Sequence, residues 1–384
     1  MDSNVRVESR LPDVGVSIFA VMSRLANEHG AINLSQGFPD FNCDPELIAC
    51  IHRQMRDGHN QYAPMPGVLA LREALSAKIA AAYGATYDPV SEITVTSGAT
   101  EALFDVISAF VRPGDEVLVF EPSYDSYVPV IRLNGGTPRF VTLRAPGYRI
   151  DWGEVRRALT PRTRLLIINS PHNPTGAVLD DQDLRELASA LDGSNTIVLS
   201  DEVYEHIIFD GRRHESVARH PELRHRSCVI SSFGKTYHTT GWKVGYIAAP
   251  QALTAEIQRI HQFVTFATNT PAQMAFAEFT RARTTYDDLT AFYQGKRDRF
   301  LELLAGSRFT PVPCHGTYFQ ILDYSAISTD TDGAFAMHLL REHGVASIPT
   351  SAFLYNSEAP HVLRFCFAKK DETLAAAAER LRAV

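Results

Sequence analysis

The sequence is poor in cysteine and lacks the spacings that build a disulfide framework or a zinc site. Its five cysteines are dispersed: Cys43, Cys50, Cys228, Cys314 and Cys366. Their number is odd, no CxxC pair occurs, and no Cys/His spacing resembles a zinc site. We therefore predict no metal site, and reduced thiols as in a cytosolic protein.

Long apolar runs and clusters of basic residues are also missing. No run approaches the ~20 apolar residues that span a bilayer, and residues 1–15 lack the apolar core of a signal peptide. The net charge of the 384 residues is −7. The sequence therefore predicts a cytoplasmic protein with no membrane partner and no nucleic-acid partner bound by charge.

Glycine-rich loops that hold nucleotide phosphates are absent as well. No GxGxxG occurs. Gly234, Lys235 and Thr236 match the end of a P-loop, but Val229 stands where that motif requires its first glycine. Two interpretations of Lys235 stay open at this point: a solvated lysine in a surface turn, or a lysine placed to form a Schiff base.

The sequence does contain short apolar runs that alternate with amphipathic stretches. Four runs have the composition of buried strands, at residues 116–120, 164–169, 196–200 and 227–231. The amphipathic stretch at residues 181–191 is typical of a helix. Such alternation predicts an α/β fold with a mostly parallel sheet that is covered on both faces.

The C-terminal part of the chain has a different pattern. Residues 286–305 predict one long charged helix, and shorter strands follow at 316–324 and 361–368. This pattern indicates a second, smaller α+β unit. We expect the first forty-odd residues, which show no clear alternation, to pack on it.

Polar residues that follow the predicted strands are candidates for ligand binding, because ligands bind at the carboxyl ends of such strands. After the apolar run at 93–96, the small residues Ser97 to Thr100 open a helix. They could bind an anion through free backbone N–H groups, or form an ordinary N-cap. Tyr124 follows the next strand as either a stacking ring or a rim residue.

Three further candidates follow the next two strands. Asn173-Pro174 is a turn signal, and the side-chain amide of Asn173 could make polar contacts with a ligand. Asp201 directly follows an apolar run, so its carboxylate needs a partner, either in a salt bridge or on a cationic ring nitrogen of a ligand. Tyr204 stands three residues on and could present its hydroxyl to the same ligand.

Cationic residues complete the pattern. Ser232 and Lys243 flank Lys235 and would complete an anion site. Arg364 lies between apolar residues, either at a solvated edge or as a bidentate partner for a carboxylate. Pyridoxal phosphate chemistry requires this combination of groups: a lysine, a buried aspartate, a stacking aromatic ring, a helix start that binds an anion, and an arginine.

Eight motifs along the chain carry a family resemblance, namely NLSQGFPDF (33–41), NQYAPMPGVLALREAL (60–75), TSGATEAL (96–103), EPSYDSY (121–127), NSPHNPTG (169–176), SDEVYEHI (200–207), SSFGKTYHTTGWKVGY (231–246) and LRFCFA (363–368). The chain resembles the class I/II aminotransferases of fold type I, which depend on pyridoxal 5′-phosphate. Within that family it is most similar to the bacterial methionine aminotransferases, which are related to the kynurenine/glutamine aminotransferases.

The resemblance implies a large domain with a mostly parallel central sheet, at 45–289, and a small α+β domain formed by 1–44 and 290–384. It also implies roles for the residues around the cofactor ring. Lys235 would hold the cofactor covalently and carry a proton, and Asp201 would pair with its ring nitrogen. Tyr204 and Asn173 would hydrogen-bond its phenolate oxygen, and Tyr124 would stack on the ring.

At the two ends of the site, the resemblance implies two anion sites. The phosphate would be bound by Gly98, Ala99, Thr100, Ser232 and Lys243. Tyr62 would reach the phosphate of a neighbouring subunit, so the protein would be a homodimer with shared active sites. Arg364 would bind the substrate α-carboxylate, assisted by Asn173 and Gly37.

Three details refine this resemblance. Many members of the broad family carry arginine at position 243, whereas this chain and the closer subgroup have lysine. The bonds before Pro122 and Pro174 are expected to be cis, as they are in this fold. Phe38 and the region around Ile18 are candidates for the side-chain pocket.

The resemblance implies transfer of the α-amino group of a neutral amino acid to a 2-oxo acid through Lys235. Methionine is the first candidate donor, followed by aromatic amino acids, histidine and glutamine, because no motif places an arginine for an acidic side chain. A pyridoxal-phosphate C–S β-lyase would use the same lysine, aspartate and arginine and stays an alternative. A ligand-sensing regulator of this fold would need an added DNA-binding domain, which we do not expect here.

Overall fold

The computed structural model describes residues 7–281 and 284–384. Its helices are α1 (Ile18–His29), α2 (Pro45–Arg56), α3 (Leu69–Tyr83), α4 (Gly98–Phe110), α5 (Tyr127–Leu133), α6 (Trp152–Ala158), α7 (Asp181–Ala190), α8 (Pro221–Arg224), α9 (Phe233–Thr236), α10 (Gln251–Val264), α11 (Thr270–Arg281), α12 (Thr284–Asp287), α13 (Leu289–Leu303), α14 (Asp332–Glu342) and α15 (Asp371–Arg382). Its strands are β1 (Ile32–Asn33), β2 (Ile93–Thr96), β3 (Glu116–Glu121), β4 (Thr137–Thr142), β5 (Thr163–Asn169), β6 (Ile197–Asp201), β7 (Ser227–Ser232), β8 (Gly245–Ala248), β9 (Thr310–Pro311), β10 (Phe319–Asp323), β11 (Val345–Ala346), β12 (Ile348–Pro349) and β13 (Val362–Cys366).

A seven-stranded sheet forms the centre of the molecule, in the order β2-β8-β7-β6-β5-β3-β4. The four strands that were predicted from apolar runs are β3, β5, β6 and β7, and each begins and ends within one residue of its predicted bounds. They run parallel to one another, as predicted. β8 runs antiparallel to both β2 and β7 and was not anticipated.

Helices cover both faces of this sheet because its strands are apolar on both sides. One apolar cluster joins the sheet to α3, α7 and α11. A second cluster joins the opposite face to α4 and α10. The α/β class with a mostly parallel central sheet is therefore confirmed.

Two smaller sheets lie outside the central one. β12, β13, β10 and β9 form an antiparallel sheet in that order, and β1 pairs with β11 in parallel. Met22 and Ala26 of α1 pack in one apolar cluster with Leu340, Ala346 and Phe353. The N-terminal segment thus packs on the C-terminal part of the chain. The domain limits given above stay a prediction.

The helix expected over residues 286–305 is shorter and divided. α12 ends at Asp287, Asp288 occupies the N-cap position, and α13 begins at Leu289 and ends at Leu303. The expectation of one continuous helix was wrong at its start. Aspartate disfavours helix interiors because its carboxylate competes for nearby backbone N–H groups, and two aspartates occur in succession here.

The bonds Glu121-Pro122 and Asn173-Pro174 are cis, as expected. Ala145-Pro146 and Ser170-Pro171 are also cis, which the sequence analysis did not anticipate. None of the helices in the described part of the chain combines the length and apolar character needed to traverse a bilayer.

Candidate active site

A cavity of about 320 Å³ opens at the carboxyl ends of the parallel strands. It falls in the size range of small-molecule sites. Nearly all of the predicted site residues line it: Gly37, Gly98, Ala99, Thr100, Tyr124, Asn173, Asp201, Tyr204, Ser232, Lys235, Lys243 and Arg364. The fold brings these residues together because β5, β6 and β7 end side by side in the sheet.

Lys235 occupies the centre of the cavity on the short helix α9, directly after β7. The hydroxyl of Ser232 accepts a hydrogen bond from the N–H of Gly234 at 3.2 Å and so caps this helix. Lys235 Nζ donates to the hydroxyl of Tyr318 at 2.8 Å and to the carbonyl of Gly37 at 3.3 Å. Burial lowers the pKa of Lys235 to about 8. The interpretation of Lys235 as a solvated lysine in a surface turn is therefore wrong.

Asp201 is the last residue of β6, and its side chain is buried, with 4% of the residue exposed. Its carboxylate accepts hydrogen bonds from the hydroxyl of Tyr127 at 2.6 Å and from the N–H of Val203 at 3.3 Å. Burial raises its pKa to about 6, although the Tyr127 hydrogen bond opposes this rise. Both hydrogen-bond donors are neutral, so the carboxylate can still pair with a cation from a ligand.

Asn173 and Tyr204 line the wall between Lys235 and Arg364. The N–H of Asn173 donates to Asn169 Oδ1 at 2.8 Å, and Asn169 Nδ2 donates to the carbonyl of Asp201 at 2.8 Å. Asn169 thus fixes the loops after β5 and β6 relative to each other. The ring centroid of Tyr204 lies 5.6 Å from Lys235 Nζ.

Arg364 lies in the middle of β13 and is only 1% exposed, so its interpretation as a solvated edge residue is wrong. Its Nη1 donates to Asn173 Oδ1 at 2.8 Å, and its Nη2 donates to the carbonyl of Ser35 at 3.0 Å. Its Nε has no hydrogen-bond partner within the described residues. The guanidinium carbon lies close to three aromatic ring centroids: Phe319 at 3.8 Å, Phe19 at 5.1 Å and Phe353 at 5.2 Å. Burial lowers the Arg364 pKa to about 10, which leaves a cation with a spare donor.

The N-terminus of α4 forms the opposite end of the cavity. Ser97 occupies the N-cap position, but its hydroxyl makes no capping hydrogen bond. The first N–H groups of a helix have no partner within the helix, so they remain available to an anion. Gly98 has a left-handed φ of 74°, and a Cβ atom there would lie 3.4 Å from Lys243 Nζ. Lys243 Nζ also donates to the hydroxyl of Thr100 at 3.4 Å.

Two predicted residues do not line the cavity. Tyr62 is 83% exposed and lies elsewhere on the surface, where its ring contacts Phe266 edge to face at 5.5 Å. A single chain does not bring it to the site, so its contact with a neighbouring subunit stays a prediction. Phe38 is exposed, and near Ile18 it is Phe19 that lines the cavity.

Sequence reasoning missed several residues that hold the site together. Tyr318 contacts Lys235, Tyr127 holds Asp201, Ser35 binds Arg364, and Asn169 joins two loops. Tyr127 and Ser35 stand inside motifs that were noted, but nothing local marks their partners. Tyr318 lies inside the strand predicted at 316–324, where it resembles an ordinary core aromatic residue.

The geometry agrees with comparisons to known proteins. The sequence pattern described as "Aminotransferase class I and II" matches residues 29–381 of this chain. The chain belongs to the class I and II aminotransferase family. Methionine aminotransferase of Escherichia coli strain K12 is 52% identical over 98% of this chain and 97% of its own length.

Other relatives place the chain in the same family. A probable N-succinyldiaminopimelate aminotransferase of Mycobacterium tuberculosis is 39% identical, with 97% of each chain covered. A crystal structure from Escherichia coli, described as identifying a methionine aminotransferase function, superposes with a TM-score of 0.97 at 51% identity and covers 99% of this chain and 100% of its own.

Membership in this family identifies the protein as an aminotransferase enzyme. The comparisons give no support to the C–S β-lyase alternative, since the family and the relatives above are described as aminotransferases. The resemblance drawn from the eight motifs is confirmed.

Proposed function

We propose that the cavity binds pyridoxal 5′-phosphate, with the ring between Lys235 and Asp201 and the phosphate at the N-terminus of α4. The residues present fit this group. An amine and a buried carboxylate flank one space, and free backbone N–H groups with a lysine lie at one end of it. Gly98, Ala99, Thr100, Ser232 and Lys243 would bind the phosphate, and Tyr124 would stack on the ring.

When bound, pyridoxal phosphate supplies an electron sink for the charge that remains when a proton leaves the Cα of an amino acid. Lys235 would hold the cofactor covalently and move that proton, and the lowered pKa of its amine suits a group that both accepts and donates protons near neutral pH. Asp201 would pair with the ring nitrogen and keep it protonated. Tyr204 and Asn173 would hydrogen-bond the phenolate oxygen of the ring.

We further propose that Arg364 binds the α-carboxylate of the amino acid, assisted by Asn173 and the Gly37 backbone. The unpartnered Nε and the low exposure of Arg364 support this role, because a desolvated guanidinium pairs strongly with a carboxylate. Of the described residues that line the cavity, Arg364 is the one arginine. Phe19, Phe319 and Gln36 line the same end. This lining favours a neutral side chain, and the relation to methionine aminotransferase makes methionine the first donor to test.

We propose that the protein is a homodimer and that Tyr62 binds the cofactor phosphate of the partner subunit. Exposed aromatic residues support an interface near Tyr62: Phe263 is 86% exposed, and Phe266 contacts Tyr62. Light scattering of the purified protein would measure the assembly. A monomer with full activity would contradict this proposal.

The single observation that carries the proposed function is the convergence of Lys235, Asp201, Asn173 and Arg364 on one cavity. The test is to add excess L-methionine, without a 2-oxo acid, to the purified protein with its cofactor. We expect the yellow absorbance band to convert to that of the pyridoxamine form, with one equivalent of 2-oxo acid per site. A persistent band with repeated release of thiol and ammonia would overturn transamination. A steady-state survey in which aspartate exceeds methionine in kcat/KM would overturn the neutral-donor assignment.

A further inference from the structure

A cluster of three buried ionisable residues lies behind the N-terminus of α4, outside the cavity lining. Glu101 and Asp105 stand one turn apart on α4, and His261 stands on α10. His261 and Asp105 are 0% exposed, and Glu101 is nearly buried. Burying three ionisable groups is unfavourable unless they are paired, so their arrangement calls for a physical reason.

His261 makes contacts with both of its ring nitrogens. Nδ1 lies 2.8 Å from Glu101 Oε1 and 3.5 Å from Asp105 Oδ2, and Nε2 lies 3.0 Å from the carbonyl of Met65. The carbonyl and the carboxylates are acceptors, so both nitrogens donate and the ring carries a positive charge. Burial alone would lower the pKa of His261, but the adjacent carboxylates of Asp105 and Glu101 raise it to about 9.

Glu101 connects this cluster to the phosphate end of the cavity. Its Oε2 accepts a hydrogen bond from the N–H of Ser97, the N-cap residue of α4. The carboxylate therefore satisfies the N–H of the N-cap residue, as the acidic residue of a capping box does, and it leaves the N–H groups of the first turn free for an anion. It also places a buried negative charge within one turn of the backbone that would bind a phosphate, and that charge would repel the phosphate if it were not balanced.

We propose that His261 is a positioning residue for the phosphate of the cofactor. It orients Glu101 toward the N–H of Ser97, and its positive charge offsets the Glu101 carboxylate beside the anion site. This inference rests on the proposed function, because it assumes that pyridoxal phosphate is bound. His261 touches neither the cofactor nor the substrate in this role. It acts through Glu101 and the first turn of α4.

The test compares two ligands that differ only in the phosphate. Apoenzyme is titrated with pyridoxal 5′-phosphate and with pyridoxal, and the dissociation constants are measured by fluorescence. We expect His261→Gln to increase the dissociation constant of pyridoxal phosphate at least tenfold and that of pyridoxal by less than twofold. The double variant His261→Gln/Glu101→Gln removes the opposed charges of His261 and Glu101 and leaves Asp105 in place, and we expect it to bind pyridoxal phosphate within about threefold of the wild type. His52→Gln, at an exposed position on α2, is the matched control and should change neither constant.

Equal weakening of both ligands, or no change for either, would overturn the role of His261 while the proposed function stands. If His261→Gln yields no soluble protein, Glu101→Gln is compared with the wild type, because it leaves the His261 charge without the carboxylate that it offsets at Glu101. The proposal requires that this variant bind pyridoxal phosphate at least as tightly as the wild type, and tenfold weaker binding would overturn it. A wild-type apoenzyme that binds neither ligand would instead overturn the proposed function.

Discussion

The two ends of the cavity both suit an anion, yet they are built differently. At one end Arg364 is buried, enclosed by three aromatic rings and held by Asn173 and Ser35. At the other end Lys243 is exposed beside the first turn of α4, and its nearest polar partner is a hydroxyl at 3.4 Å. A charge in the interior interacts far more strongly than one in contact with water.

On the proposed function, this difference predicts how each end would bind its anion. The Arg364 end would depend on one desolvated cation, so a single change there should remove most of the binding. The α4 end adds several weak contributions, from backbone N–H groups, hydroxyls and an exposed lysine, each of which is partly replaceable. Lys235 lies between the two ends. The comparison can be tested by changing one residue at a time.

The largest effect is expected from Arg364→Lys. Lysine keeps the charge but loses the bidentate geometry and leaves Asn173 Oδ1 and the Ser35 carbonyl without their donors. We expect kcat/KM for the amino acid to fall on the order of 100-fold, from the loss of about 2–3 kcal/mol of charged hydrogen bonding. Cofactor affinity should stay unchanged. Arg212→Lys, at an exposed position, is the control, and an equal loss in both variants would contradict the prediction.

The second effect concerns pH. Because burial lowers the pKa of Lys235 to about 8, its amine becomes neutral at a lower pH than an ordinary lysine. Only the neutral amine attacks the aldehyde of the cofactor. The rate of covalent attachment to apoenzyme should therefore rise about tenfold per pH unit between pH 6 and 7 and level off above about pH 8. Stopped-flow absorbance would measure it. A rate that still rises steeply at pH 10 would show that the amine is not perturbed.

A smaller effect is expected from Lys243→Ala. This residue is exposed, so solvent screens its charge and the neighbouring N–H groups remain. We expect the dissociation constant for pyridoxal phosphate to increase about tenfold, with little change in KM for the amino acid. Lys370→Ala removes another exposed lysine and serves as the control. If Lys243→Ala weakened pyridoxal phosphate binding by as large a factor as Arg364→Lys lowers kcat/KM, the proposed contrast between the two ends would be contradicted.

The smallest effect is expected from Tyr318→Phe, which removes the hydroxyl between Lys235 and Gly37. One such hydrogen bond contributes roughly 1 kcal/mol, so kcat should fall about three- to tenfold while cofactor affinity stays the same. Tyr293→Phe is a close match, since that buried hydroxyl has no partner within the described residues. Comparable kcat values for the two variants would assign Tyr318 to packing alone.

Much of the central sheet was predictable because its strands are continuous apolar runs bounded by polar turns. β5 and β6 illustrate this, since burial on both faces leaves an uninterrupted pattern in the sequence. β8 was missed because it is only four residues long and begins with glycine, which weakens a strand pattern. The division at Asp288 was missed because the helical pattern on either side of it is almost continuous.

The site residues also fall into two groups, those that the sequence could predict and those that it could not. Lys235, Asp201 and Asn173 could be identified because Asp201 ends a strand and the other two stand within four residues after the end of one. Tyr318 and His261 could not, since their partners Gly37 and Glu101 lie 281 and 160 positions away in the chain. Nothing in the local sequence distinguishes such residues from core aromatics or satisfied histidines.

The sequence by itself determined the family, the four parallel strands β3, β5, β6 and β7, and the chemical groups that the strand ends present. These properties depend on hydrophobic periodicity and on short motifs, both of which are local in the chain. Only the tertiary structure decided that Arg364 is buried, that Tyr318 contacts Lys235, and that a charged His261 lies behind the first turn of α4. The burial of these side chains and the partners that they contact depend on segments that are distant in the chain. Such segments meet only when the sheets and helices pack, and the polar side chains then lose their contacts with water and pair with one another.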